Sequence, residues 1–312
     1  MPKAHINGLE LHYQIAGDGF PLVLVHGLAT NLAFWYLSSF WPLTRDYRTM
    51  AYDLRGHGRS GTPPEGYTTT DLAADLQGLL DHLGIEACHL VGHSYGGAVA
   101  LHLATTQPHR VRSLTLADAW IPALRTARPR HQWRFRHAWE ERLRQWDVDV
   151  SEETFRAGLP LLDQLVEMGG AAEPAPQPLA QGGRRRDIAG RIANLPSRSN
   201  TSRQWQALLK NTSIAKEIVE DCGLTRKKIS ELRAPTLVIF GRRSRWLGIC
   251  EALEQSIPDA RVVKVPGAGH FHPFAKPEFF QCALRDFLGL QEADARDGSP
   301  TRSKRAWGNL PA

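Results

Sequence analysis

The stretch Gly92-His93-Ser94-Tyr95-Gly96-Gly97 follows directly on the apolar run Cys88–Val91 and leads into a helix-compatible segment, Ala98–Thr106. It is a G-x-S-x-G pattern set between a strand and a helix. Glycines two before and two after the serine allow a tight strand-to-helix turn, which a Cβ at either place would obstruct. Such a turn lifts the Ser94 hydroxyl clear of the sheet. It also aims the N-terminus of the following helix at negative charge developing beside it.

Outward from this turn, apolar runs alternate with helical spacing. Leu9–Ala16 alternates apolar and polar residues and is expected as an edge strand, closed by the turn Gly17-Asp18-Gly19. Leu22–Val25 is continuously apolar, as a strand covered on both faces should be. Tyr47–Tyr52 and Ser113–Ala117 are the next expected strands, and Thr69 or Thr70 can cap a helix over Asp71–Leu83 that Gly84 ends. Later, Pro235–Phe240 and Arg261–Val265 read as strands, and Trp205–Leu209, Ile214–Val219, Ile249–Ile257 and Pro277–Leu288 as helices. Strand–helix alternation of this kind implies an α/β fold with parallel pairing.

Three further segments accompany the serine. Pro21-Leu22-Val23-Leu24-Val25-His26-Gly27 is a buried strand ending in His-Gly. Asp53-Leu54-Arg55-Gly56-His57-Gly58-Arg59-Ser60 follows a second strand. Ala260–Val265 runs into Pro266-Gly267-Ala268-Gly269-His270-Phe271. In this order the segments resemble the α/β-hydrolase family, over roughly residues 9–120 and 234–290. The resemblance implies a mostly parallel central sheet flanked by helices, with an inserted helical cap. The core would comprise 1–119 and 234–290, the cap 120–233, and residues 291–312 a disordered tail.

A serine hydroxyl needs a base to take its proton. His270, late in the chain after the last strand, is the candidate. His26, His57 and His93 sit in segments where a histidine orders the turn, and His272 is a near neighbour of the site. Most relatives carry an acid a few residues past the strand Pro235–Phe240. Here that segment reads Gly241-Arg242-Arg243-Ser244-Arg245-Trp246, with Ser244 at the expected place and no acid from Leu237 to Cys250. Asp118, at the end of Ser113–Ala117, is the candidate replacement, as in the haloalkane dehalogenase branch. A Ser–His dyad, a water in the carboxylate's place and a degraded enzyme are the alternatives. By resemblance the backbone N–H groups of Leu28 and Tyr95 form the oxyanion hole. Trp120, Trp35 and Trp246 are candidate substrate contacts.

Serine at the elbow argues against haloalkane dehalogenases and epoxide hydrolases, which attack with aspartate. It favours an acyl-enzyme route on an ester or thioester with a hydrophobic part. C–C bond hydrolysis, or a lyase or cyclase reaction, on the same scaffold is one alternative. A non-catalytic binding protein is another.

Composition sets the remaining bounds. The 312 residues carry a net charge of +6. Residues 119–233 hold 20 Lys+Arg against 14 Asp+Glu, so the whole excess belongs to the expected cap. A solvated surface is the plain reading. Steering of an anionic or carrier-protein-bound substrate is the sharper one. No nucleic-acid motif, membrane span, metal-ligand spacing or cofactor fingerprint accompanies it. The four cysteines are scattered, as free thiols in a reducing cytoplasm would be.

Overall fold

Eight strands form one sheet: β1 (Lys3–Ile6), β2 (Leu9–Ala16), β3 (Pro21–Val25), β4 (Arg48–Tyr52), β5 (Cys88–His93), β6 (Val111–Ala117), β7 (Thr236–Gly241) and β8 (Ala260–Val265). The computed structural model describes residues 2–124, 140, 141, 144, 200–220 and 223–297. Across the sheet the order is β1-β2-β4-β3-β5-β6-β7-β8. The β1–β2 and β2–β4 pairs are antiparallel, and the pairs from β4 onward are parallel. The longer described helices are α1 (Thr69–His82), α2 (Tyr95–Thr106), α3 (Asn200–Asn211), α4 (Leu247–Ser256) and α5 (Pro277–Asp297).

Strand periodicity of two divides the apolar residues between two cores. Val23 and Val25 face the layer that holds Leu72 and Leu76 of α1, Val99 of α2 and Leu253 of α4. Leu22 and Leu24 face the layer that holds Phe280, Leu284 and Phe287 of α5, together with Trp35 and Phe40. The central strands are therefore buried on both sides, and each such side chain contributes about 1.5–3 kcal/mol by leaving water.

The chain passes from β3 to β4 on one side and returns to β5 on the other. The sheet thus has a topological switch between β3 and β5. Ligands of open α/β sheets bind at the carboxyl ends beside such a switch. His26-Gly27 and Ser94 both emerge there.

The structure departs from the sequence reading in several places. β1 was not expected. It pairs with β2 through Asn7-Gly8, whose φ values of 49° and 80° are those of a type I′ hairpin turn. Leu9–Ala16 is consequently the second strand, not the edge. The cap of α1 is Thr68 and not Thr69 or Thr70. Thr68 is extended, its side chain accepts from Asp71 N–H, and Asp71 reaches back to its backbone. α5 runs past Leu288 to Asp297, so residues 291–297 are helical where a tail was expected. Most of the expected cap, 120–233, lies outside the described residues.

Candidate active site

Ser94 ends β5 and starts α2 with φ 54° and ψ −125°, a left-handed backbone rarely adopted by a residue with a side chain. The neighbouring glycines show what makes the turn possible. A Cβ on Gly92 would overlap the Gly96 carbonyl, and one on Gly96 would overlap the His26 carbonyl. The strain is held by backbone bonds. Ser94 N–H donates to Ala117 O at 3.1 Å, and Ser94 O accepts from Gly97 and Trp120, each at 3.0 Å. The Ser94 hydroxyl is buried and has no hydrogen-bond partner among the described residues.

Asp118 follows β6, again with positive φ, 46°. Its N–H donates to Ile239 O at 2.8 Å, which ties it to β7. His270 Nδ1 lies 2.8 Å from Asp118 Oδ1, both residues fully buried. The carboxylate can only accept, so Nδ1 carries the hydrogen and Nε2 presents its lone pair. Two more donors serve the carboxylate: Gly241 N–H to Oδ2 at 2.9 Å and Ser244 Oγ–H to Oδ1 at 2.5 Å. Ser244 therefore bonds Asp118 from the position at which the sequence reading sought an acid. Nothing in its sequence neighbourhood marked that contact. His93 binds the loop that carries His270, Nε2 donating to His270 O at 3.0 Å, with ring centroids 4.7 Å apart.

The loop after β3 lies against the serine. A Cβ on Gly27 would stand 2.7 Å from Ser94 Cβ and 3.3 Å from its Oγ. Leu28 follows directly and is buried, as is Tyr95, whose hydroxyl donates to Tyr67 O at 3.1 Å. Two histidines hold this loop. His26 Nε2 accepts from Leu54 N–H at 3.0 Å, and His57 Nε2 accepts from Ala29 N–H at 3.1 Å. Each donates from Nδ1 to a backbone carbonyl, Gly27 and Arg55 respectively. Burial, and then the neighbouring His26, depresses the His57 pKa to about 3, so it stays a neutral acceptor. Burial likewise lowers His26 and His93 and brings His272 to about 4. Asp53 completes the frame, accepting from Leu32 and Arg59 N–H and pairing with His12 Nδ1 at 2.7 Å.

The candidate aromatic contacts separate. Trp120 is buried beside the elbow, with its ring 5.5 Å from Tyr95 and 6.4 Å from that of half-buried Trp246. Trp35 instead packs in the α5-side core, 5.6 Å from Phe280. Trp205, on α3, lies 6.0 Å from the His57 ring. Beside it Gln204 exchanges two hydrogen bonds with the Gly58 backbone. The next short helix, Ile214–Glu217, ends in a carboxylate that accepts from Gly66 N–H at 3.0 Å and Tyr67 N–H at 2.6 Å. A crevice lined by Ala29, Thr30, His57, Gln204, Trp205 and Leu208 runs along this contact. A larger cavity of about 330 Å³, lined by Phe20, His109, Arg112 and Arg233 among others, lies at the opposite ends of the strands. Among the described residues no His/Cys/Asp/Glu group could hold a metal ion, and no helix is long and apolar enough to cross a membrane.

The sequence model of the alpha/beta hydrolase fold matches residues 21–277. The chain belongs to the α/β-hydrolase family. A RutD protein of Variovorax paradoxus (strain S110), whose name provisionally assigns it carbamate hydrolysis, is 30% identical over 292 residues, 91% of this chain and 98% of that one. A soluble epoxide hydrolase of Corynebacterium sp. (strain C12) is 29% identical over 305 residues, 93% of this chain and 97% of that one. Among solved structures, Est816, described as an N-acyl homoserine lactone degrading enzyme, superposes with a TM-score of 0.66 at 25% identity. It covers 92% of this chain and is itself covered completely. The chain is thus a hydrolase of the α/β-hydrolase fold.

Proposed function

We propose that the chain is a serine hydrolase cleaving an ester or thioester of a hydrophobic substrate through an acyl-enzyme. The observation that carries this reading is the 2.8 Å pairing of His270 Nδ1 with Asp118, at the same sheet end as the strained Ser94. In this reading His270 Nε2 takes the Ser94 proton as Oγ attacks the carbonyl carbon, and Asp118 stabilises the imidazolium. The developing oxyanion is met by the N–H groups of Leu28 and Tyr95. His270 then gives the proton to the departing alcohol or thiol. Water, activated by the same nitrogen, hydrolyses the acyl-enzyme and frees Ser94.

Several features support it. The positive φ at Ser94 stores strain of the kind kept at reactive sites. Gly27, with no side chain, leaves the hydroxyl room beside the loop. Est816 is described as degrading a lactone, a cyclic ester. Trp120 and Trp246 supply apolar area for the acyl or aryl part, and the segment 120–233 serves as the cap, of which Gln204, Trp205 and Glu217 are docking points. The basic excess of 119–233 would draw an anionic substrate.

The test is labelling with a fluorophosphonate, followed by turnover of p-nitrophenyl esters of graded chain length. The expected outcome is a single covalent adduct at Ser94, absent in Ser94→Ala, and turnover that rises with acyl length. A wild-type protein that neither labels nor turns over any of these esters would overturn the reading.

A further inference from the structure

We propose that Ser244 is a positioning residue, whose hydroxyl orients the Asp118 carboxylate toward His270 and sets how strongly that carboxylate attracts a proton. The inference rests on the roles proposed above for Ser94, His270 and Asp118.

The Ser244 hydroxyl has one hydrogen, and its neighbours fix where that hydrogen goes. Trp246 N–H donates to Ser244 Oγ at 3.0 Å, so the oxygen is already an acceptor. Asp118 Oδ1, 2.5 Å away, can only accept, so the hydrogen points at the carboxylate. A hydroxyl donating to a carboxylate at this distance is a strong, charge-assisted bond. Ser244 is itself pinned, its N–H donating to Gly241 O at 2.9 Å, and it is buried. The same turn carries Gly241 N–H to the other carboxylate oxygen. Arg243 N–H donates to Ala268 O at 2.9 Å, which fastens the turn to the loop bearing His270.

Asp118 Oδ1 therefore accepts from Ser244 and lies within bonding distance of His270. Titratable groups that interact with this pair include His272, which opens the short helix His272–Ala275, Cys250 on α4 and His93 on β5. His93 and His272 are held neutral by burial, and burial raises the Cys250 thiol to about 12. None of these three changes charge near neutrality, and Ser244 supplies the carboxylate with a side-chain donor that substitution can remove. Removing its hydroxyl leaves the carboxylate less fixed and more basic. A more basic carboxylate favours the imidazolium, which moves the acidic limb of activity to higher pH.

The experiment compares pH profiles of kcat/KM on a p-nitrophenyl ester for wild type, Ser244→Ala, Ser244→Thr and Ser244→Val. Thr and Val have nearly the same shape and differ in the hydroxyl, so this pair decides the matter even if the smaller alanine unsettles the fold. Ser244→Val should lower kcat by about 10- to 100-fold, the scale of a lost hydrogen bond to a charged group, with KM within about two-fold. Its acidic limb should rise by about half a pH unit or more, and Ser244→Thr should restore both quantities. Val and Thr variants with the same limb and the same kcat would overturn the proposal. Loss of fluorophosphonate labelling in wild type would instead overturn the underlying reading of Ser94 and His270.

Discussion

Asp118 Oδ1 lies 2.8 Å from His270 Nδ1, although 152 positions separate the two in the chain. Parallel pairing brings them together, because β6 and β8 flank β7 and end on the same side of the sheet. Asp118→Asn preserves size and removes the charge. It should lower kcat on the order of 10⁴-fold, as loss of the equivalent acid does in serine proteases, while circular dichroism shows a folded protein. Turnover within a few-fold of wild type would reject the carboxylate's role.

Gly27 is a second point at which a small change should act on chemistry. A methyl group there would stand 2.7 Å from Ser94 Cβ, closer than such carbons approach. Either the loop or the serine must shift by several tenths of an ångström. Gly27→Ala is expected to reduce kcat/KM about 100-fold, the scale associated with misplacing a reactive group by about 1 Å. Thermal unfolding should show a much smaller change.

Glu217 holds the chain returning toward β7 onto the loop before α1, through the amides of Gly66 and Tyr67. Glu217→Ala leaves both amides without that acceptor. The local contact should weaken by about 1–3 kcal/mol. Limited proteolysis within 200–220 should accelerate and KM should rise, with kcat nearly constant. Identical cleavage rates in the two proteins would show that this carboxylate does not anchor the segment.

Buried neutral histidines give stability a predictable dependence on pH. Burial lowers His57 to about 3, and His89 and His272 to about 4. Their ordinary value is about 6.5. Above that value both folded and unfolded forms are neutral there, and these groups leave stability unchanged. Below it the unfolded chain binds protons that the folded form refuses, so unfolding becomes easier as pH falls from about 6.5 toward 4. Each histidine contributes up to roughly 1.4 kcal/mol per pH unit. Urea midpoints at pH 7.5 and 5.0 should differ clearly, and His57→Gln should reduce the difference.

The sheet was readable because its strands are apolar on both faces and its serine turn is rich in glycine. Leu22–Val25 and Cys88–Val91 announce themselves without any partner in view. β1 escaped because Lys3 and His5 alternate with only two apolar residues, and Asn7-Gly8 signals a hairpin only once a strand is suspected before it. Thr68 escaped as a cap because three consecutive threonines offer the same side chain, and the backbone geometry decides among them. α5 was read short because its apolar spacing thins after Leu288, whereas Gln291 is nonetheless buried. At the site, Ser94, His270 and Asp118 stood out by residue type and position. Ser244 stood out only as the place of a missing acid, and Gln204 and Glu217 not at all, since the hydrogen bonds of all three exist only in the folded chain. Trp35 was misleading in the other direction, because an aromatic near a reactive loop and an aromatic in a core look alike in sequence.

β6 and β7 are neighbours, paired from Leu114–Thr236 to Ala117–Ile239, and among the described residues none between positions 117 and 236 adds a strand to the sheet. Changing the length of such an excursion adds only about 0.6 kcal/mol of closure entropy per doubling. Evolution, or an engineer building chimeras, can therefore exchange this whole passage for another and keep the framework's pairing intact. The junctions to respect are Asp118 on the way out and the Gln204 and Glu217 anchors on the way back.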